Sequence, residues 1–126
     1  MKKLPNAKEV LAIPIGELVE TLNEECRIEV PDFIQQPELT AYAGTLLARC
    51  TSLYSYLSSL SIMLKLYKRG LKAKHAEKDV IEDAMSREDV LKTYADIVKQ
   101  TYSAISRMVT IKQQLNEELR LTGGSV

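Results

Sequence analysis

The densest group of side chains that could do chemistry is a run of positive charge in the middle of the chain. Six lysines or arginines lie within fourteen residues, opposed in that window only by one glutamate: Lys65, Lys68, Arg69, Lys72, Lys74 and Lys78. On a helix, Lys65, Arg69 and Lys72 recur at i, i+4 and i+7 and share a face. Such a face suits the phosphates of a nucleic acid, because each neutralised phosphate releases condensed counterions. The alternative is an ordinary solvated helix end, partly neutralised by the acidic segment EKDVIED that follows.

Further candidate contacts lie on either side of this run. Arg107 and Lys112, in the segment SAISRMVTIKQQL, fall outside the predicted apolar seam and are additional candidate phosphate contacts. Tyrosine rings can stack on unpaired bases, and the candidates for stacking or for contact with a small ligand are Tyr54, Tyr56 and Tyr67. The helical pattern favours core packing over stacking for Tyr67.

Signatures of catalysis and of metal binding are missing from the sequence. It contains no Gly-rich phosphate loop, nucleophile elbow or histidine-based triad. Acidic pairs such as Glu24 and Glu25 are adjacent, so they point in different directions on a helix. His75 is the only histidine and no CxxC motif is present. We therefore expect no enzymatic activity, no metal site and no cofactor.

The elements that must position the candidate residues are helices within one domain, residues 1–126. The chain is 45% apolar and 27% charged, with four prolines and five glycines, which is typical of a folded, helix-rich protein. Residues 1–36 are predicted to form an acidic helix over 15–26 and a linker or brief strand, RIEVPDFIQQP. The first 40 residues contain four lysines or arginines against eight acidic residues, whereas the remainder contains 13 against nine. A chain with no net charge can therefore present a basic surface.

Two long helices are predicted to follow, forming a hairpin over residues 37–121. Pro37 suits the first residue of a helix that continues to about residue 84. Ser86 and Asp89 form a Ser-x-x-acid pattern, which predicts that the last helix runs from Arg87 to about residue 121. Because the connection around Met85 is short, we expect the two helices to be antiparallel.

Both long helices show an apolar repeat of 3.5 residues, which predicts left-handed, coiled-coil-like packing. In the first helix the repeat comprises Leu39, Ala43, Leu46, Cys50, Leu53, Leu57, Leu60, Leu64, Tyr67 and Leu71. In the last helix it comprises Val90, Tyr94, Ile97, Thr101, Ala104, Met108, Ile111 and Leu115, widened by Leu91, Val98, Ile105 and Leu119. Helices of about 50 to 70 Å are too long for a compact monomer, so we expect a homo-oligomer.

A stripe of small residues on another face of the first long helix has two interpretations. It comprises Gly44, Ala48, Ser52, Ser55 and Ser59. It could be a subunit interface at which a second helix approaches closely, or a solvated serine face.

Residues 46–64 have the length of a membrane span, but Arg49 and several serines and threonines would be costly in lipid, so we expect no membrane insertion. We expect no secretory signal ahead of Cys26 and Cys50, because the first apolar stretch lacks both a cleavage site and a sufficiently long hydrophobic region. The two cysteines are predicted to be reduced, packed thiols, with a disulfide as the alternative. The expected location is the cytoplasm, or the host cytoplasm if a phage encodes the chain.

Between residues 40 and 115 the sequence LYSYLSSLSIMLKLYKRGLKAK is followed by an acidic hinge and then by DVLKTYADIVKQTYSAISRMVTIK. This order resembles the UvsY-type phage recombination mediators, in which an apolar helix passes into a lysine-rich segment and a DVLK-like motif begins the next helix. An A-I-x-x-R-like element near the C-terminus is a further point of similarity. The acidic stretch GELVETLNEECRIEVPDF departs from the family pattern.

The resemblance implies a non-enzymatic helical protein that oligomerises into a ring and binds single-stranded DNA. It further implies two protein partners: a recombinase, which the protein helps to load onto single strands, and the single-strand-binding protein that covers those strands. By position, it implies DNA contact by residues of the basic run, namely Lys65, Lys68, Arg69, Lys72 and Lys74, and assembly through the C-terminal helix.

Two other classes of function fit the residues. In a structural coiled-coil adaptor the lysines would only keep the hairpin end soluble, and the oligomer would have no affinity for nucleic acid. An oligomeric binder of small nucleotide signals would hold its ligand between helices, through Arg49, Tyr54, Tyr56, Ser106 and Arg107. We favour the single-stranded-DNA-binding oligomer, because the basic run is strongly one-signed.

Overall fold

The computed structural model describes residues 4–33 and 35–123, and they form an all-α hairpin with a short helical N-terminal segment. In chain order the elements are α1 (Ala7–Ala12), α2 (Ile15–Cys26), a 3-10 helix (Pro37–Tyr42), α3 (Ala43–Ala73) and α4 (Lys78–Gly123). The long helices α3 and α4 pack antiparallel, and α1 and α2 pack against α4. The described residues contain no strand. The predicted all-α fold built on a long antiparallel helical hairpin is confirmed.

The apolar seam of α3 lies where the 3.5-residue repeat predicts it. Its buried members are Ala43, Leu46, Cys50, Leu53, Leu57, Leu60 and Leu64. Leu39 and Leu71, at the two ends of the repeat, are partly buried, and Tyr67 is exposed. The segment 46–64 is therefore a core helix, and none of the helices in the described part of the chain is long and apolar enough to cross a membrane.

The buried seam of α4 lies to one side of the predicted repeat. Leu91, Val98 and Ile105, expected only to widen the stripe, are fully buried, whereas Ile97 and Ile111 are exposed. The cause is that α4 has two partners, α3 and the N-terminal segment, on adjoining faces. Tyr94 belongs to the second face, where its hydroxyl donates to the Val19 carbonyl at 3.4 Å.

The hairpin connection lies at residues 74–77, so its prediction around Met85 is wrong. The α3 helix includes Gly70 and ends in a Schellman motif, with the Ala76 N–H bonded to the Leu71 carbonyl at 3.0 Å. His75 occupies the left-handed position with φ of 56°, where glycine is usual. Ser86 lies inside α4 and donates to the Glu82 carbonyl instead of capping a helix.

The N-terminal segment contains two helices, of which the sequence predicted only the second. The helix over 15–26 is confirmed. Helix α1 precedes it and begins with a capping box, in which the Asn6 side chain accepts from the Glu9 N–H at 2.9 Å and the Glu9 carboxylate accepts from the Asn6 N–H. Within the linker, Phe33 is fully buried and anchors the irregular chain to the core.

Four side chains of the hairpin make polar contacts that fasten the N-terminal segment along one side of it. Besides the Tyr94 contact, the buried Arg87 guanidinium donates to the carbonyls of Val10, at 2.7 Å, and Ile13. The Tyr56 hydroxyl donates to the Pro5 carbonyl. Arg49 pairs with Glu25 at 3.0 Å. The two Arg87 bonds satisfy carbonyls at the end of α1 that the short helix leaves unpaired.

Both cysteines are free and buried in the core. Burial raises the pKa of the Cys26 thiol to about 11, although the nearby Arg49 opposes the shift. Burial also raises the pKa of Cys50. Protonated thiols are poor nucleophiles, so both behave as small apolar side chains.

Candidate nucleic-acid interface

Three cations on the last turns of α3 form an exposed surface, here called the basic face: Lys65, Arg69 and Lys72. Their spacing puts them on one side of α3 near the hairpin connection. Each is exposed, and none makes an ion pair with another residue in the described part of the chain. Lys74, in the connection, is likewise exposed and unpaired there. These charges are available to an anionic ligand.

Lys68, in the same run, has a different environment. Its ammonium lies 2.8 Å from the carboxylate of Glu88 on α4. Glu88 is only 2% exposed and also pairs with Lys92 at 2.9 Å. The hydrogen bond from Lys68 is the main cause that lowers the pKa of Glu88, with a further contribution from Lys92, and burial opposes the shift. Lys68 thus joins α3 to α4.

The acidic segment EKDVIED forms ion pairs with residues close to it in the chain, and in the described residues it forms none with the basic face. Lys78 lies 3.7 Å from Glu82, and both side chains are exposed. Asp83 accepts from Arg87 at 2.8 Å. In the described residues no ion pair joins this segment to the basic face.

The three candidate tyrosines have different environments. Tyr56 is half-buried, its hydroxyl is bonded to the Pro5 carbonyl, and burial raises its pKa to about 12. Its ring is therefore held against the N-terminal segment. Tyr67 is exposed and lines a small cleft beside α1, which disagrees with its predicted core position. Tyr54 is 41% exposed on the other side of the hairpin.

Arg107 and Lys112 do not join the basic face. Arg107 is exposed, and Lys112 is partly buried. Arg107 lies 29 residues beyond Lys78, the first residue of α4, so it is about 44 Å along the helix from the hairpin connection. The predicted cationic residues therefore fall into two separate groups.

Two residues that the sequence did not single out, Lys99 and Tyr102, meet Tyr54 in a cleft between α3 and α4. The cleft has a volume of about 250 Å³, and the complete lining is Cys50, Thr51, Tyr54, Val98, Lys99 and Tyr102. Arg49 and Ser106, expected to accompany Tyr54 around a small ligand, do not line it. Lys99 and Tyr102 could have been found only with the correct register of α4.

The small-residue stripe on α3 is exposed along its length, so solvent and a second helix both have access to it. Among the described residues, no group of three or more His, Cys, Asp or Glu side chains could hold a metal ion.

Fold and surface together define a helical hairpin protein with a cationic end. No protein-family model, curated protein or solved structure matches the chain.

Proposed function

We propose that this chain is a non-enzymatic protein that binds single-stranded DNA through the basic face. The observation that supports the proposal is the exposure of Lys65, Arg69 and Lys72 together, without ion-pair partners in the described part of the chain. Cations that already pair with carboxylates gain little from a phosphate, whereas unpaired cations gain a partner and release counterions. Flexible lysine and arginine side chains on a convex helix end can follow an irregular single strand.

The proposal includes self-assembly and a role as a recombination mediator. Self-assembly is supported by apolar side chains exposed near the end of α4, where Leu115 and Leu119, one turn apart on the same face, are 42% and 68% exposed. Large apolar residues concentrated in this way favour contact with another protein surface. The mediator role, with a recombinase and a single-strand-binding protein as partners, rests on the sequence resemblance alone.

The experiment that tests DNA binding is fluorescence anisotropy of a labelled single-stranded oligonucleotide at several salt concentrations, with light scattering on the same preparation. We expect binding that weakens steeply with salt, because phosphate contacts dominate it. We also expect a scattering mass that is a multiple of the 14.2 kDa chain. An oligomer that fails to bind at low salt would refute the proposal and favour the structural adaptor.

A further inference from the structure

The flank of the hairpin that carries Tyr54 is not the side covered by the N-terminal segment. Tyr56, bonded to Pro5, marks the covered side of α3, and Tyr54 points about 200° around the helix from it. On α4, Tyr94 marks the covered side, and Lys99 lies about 140° away. The cleft shared by Tyr54 and Lys99 is therefore on an open flank.

The composition of this cleft suits a flat aromatic ligand. Its floor includes Cys50 and Val98, which are 1% and 0% exposed. Two tyrosines border it, Tyr54 at 41% and Tyr102 at 42% exposure, so each ring presents part of its surface to solvent. At about 250 Å³ the cleft is below the roughly 300 to 1,000 Å³ typical of sites for drug-sized ligands. A single ring system is the appropriate size.

A cationic groove adjoins the cleft and shares Lys99 with it. The groove has a volume of about 290 Å³, and its lining is Lys99, Gln100, Ser103, Ala104 and Arg107. Neither Lys99 nor Arg107 makes an ion pair with any residue that the structure describes. An apolar, tyrosine-bordered cleft thus opens beside an unneutralised cationic groove, an arrangement that suits a base linked to a phosphate.

The groove on the other side of the cleft is less suited to a phosphate. It contains Asp96 and Lys92, and the Lys92 ammonium is already paired with Glu88. The carboxylate of Asp96 would repel a phosphate there. The charges therefore favour a phosphate on the side of Lys99 and Arg107.

From these placements we propose that the cleft between Tyr54 and Tyr102 binds one nucleobase, with the adjoining phosphate on Lys99 and Arg107. The shared chemistry is a base joined to a phosphate, whether in a DNA strand or in a free nucleotide. If the base belongs to a DNA strand, the inference rests on the proposed function. The cleft then adds a second DNA contact, remote from the basic face. Stacking of a tyrosine ring on a base uses the face of the base, which all nucleobases have, so the cleft should accept different bases.

The test compares Tyr54→Leu, Tyr102→Leu and Tyr42→Leu with the wild-type protein in the anisotropy assay. Leucine keeps an apolar side chain at the cleft, and Tyr42 is an exposed tyrosine outside it that serves as the matched control. We expect Tyr54→Leu and Tyr102→Leu each to weaken binding of oligothymidylate at least about fivefold with an unchanged salt slope. An abasic strand of equal length should bind all four proteins equally, and circular dichroism should report equal helicity.

Two further measurements are needed. They distinguish a base within a DNA strand from a base in a free nucleotide, and they distinguish failure of the base site from failure of the proposed function. Lys99→Ala should lower the salt slope by about 0.7 units, as expected for one lost contact to a single strand.

If the wild type binds DNA and the cleft variants bind oligothymidylate as tightly as it does, the base site is refuted and the proposed function stands. If the wild type binds no DNA, the proposed function fails, and calorimetry with thymidine monophosphate decides the cleft. Saturable binding that Tyr102→Leu abolishes would support a nucleotide site, and no binding would refute it.

Discussion

A buried carboxylate divides the basic run into two kinds of lysine. Lys65 is exposed and unpaired in the described part of the chain, whereas Lys68 pairs with Glu88 in the contact between α3 and α4. The sequence could not predict this difference, because pairing about Met85 would place Lys68 opposite Tyr102. Only the actual connection at residues 74–77 brings Lys68 to Glu88.

Replacement of Glu88 by glutamine should destabilise the protein in a pH-dependent manner. At neutral pH we expect the free energy of unfolding to fall by about 2 kcal/mol, since two hydrogen bonds from lysines to a buried carboxylate are weakened. The folded state lowers the pKa of Glu88 below its ordinary value of 4.5. The stabilisation is therefore fully present above that value and is lost as the pH falls through the lower, folded-state pKa.

Urea unfolding of both proteins at neutral pH, near pH 5 and below pH 4 would measure this difference. The gap in stability should shrink on acidification. Glu82→Gln, which removes an exposed carboxylate paired with Lys78, is the matched control and should have an effect below about 0.5 kcal/mol. A Glu88→Gln protein as stable as the wild type at neutral pH would show that the ion pairs contribute little.

At the scale of elements, helix periodicity predicted most of the architecture and local turn signals predicted least. The helix over 15–26 and the seam of α3 from Ala43 to Leu64 are correct, because both depend on burial of one apolar face. The hairpin connection was missed because residues 74–77 contain neither glycine nor proline, and His75 adopts the left-handed conformation. The register of α4 was misassigned because that helix packs against two partners. The cleft between Tyr54 and Tyr102 was missed with it, since Tyr102 lies outside the predicted repeat.

Replacing His75 by glycine should stabilise the hairpin connection. A side chain in the left-handed region is disfavoured by about 1 kcal/mol, and glycine at the C′ position of a Schellman motif avoids that cost. We expect His75→Gly to raise the free energy of unfolding by about 1 kcal/mol, as measured by urea unfolding. Its Tm should rise as well in thermal unfolding. His75→Ala retains the Cβ atom and should leave stability nearly unchanged. A loss of stability in the glycine variant would contradict the left-handed turn.

At the scale of the whole molecule, the surfaces with different chemistry are spatially separated. The acidic N-terminal segment covers one side, the basic face lies at the hairpin connection, and the tyrosine cleft lies on the open flank. Helix α4 has 46 residues against 31 in α3, so it is longer by about 22 Å. Its distal part exposes Leu115, Leu119 and Leu121. Separate surfaces would allow the proposed DNA binding and the proposed self-assembly to occur at the same time.

The measurement that tests the central claim most directly is the salt dependence of single-stranded DNA binding by two triple variants with the same net charge. One replaces the basic face, Lys65, Arg69 and Lys72, by alanine. The matched control replaces Lys8, Arg27 and Arg120, which are exposed cations elsewhere on the chain. We expect the basic-face variant to lower the slope of log affinity against log salt by about two units and the control to retain the wild-type slope, with equal helicity and oligomer size. Equal slopes in the two variants would contradict the assignment of DNA binding to the basic face.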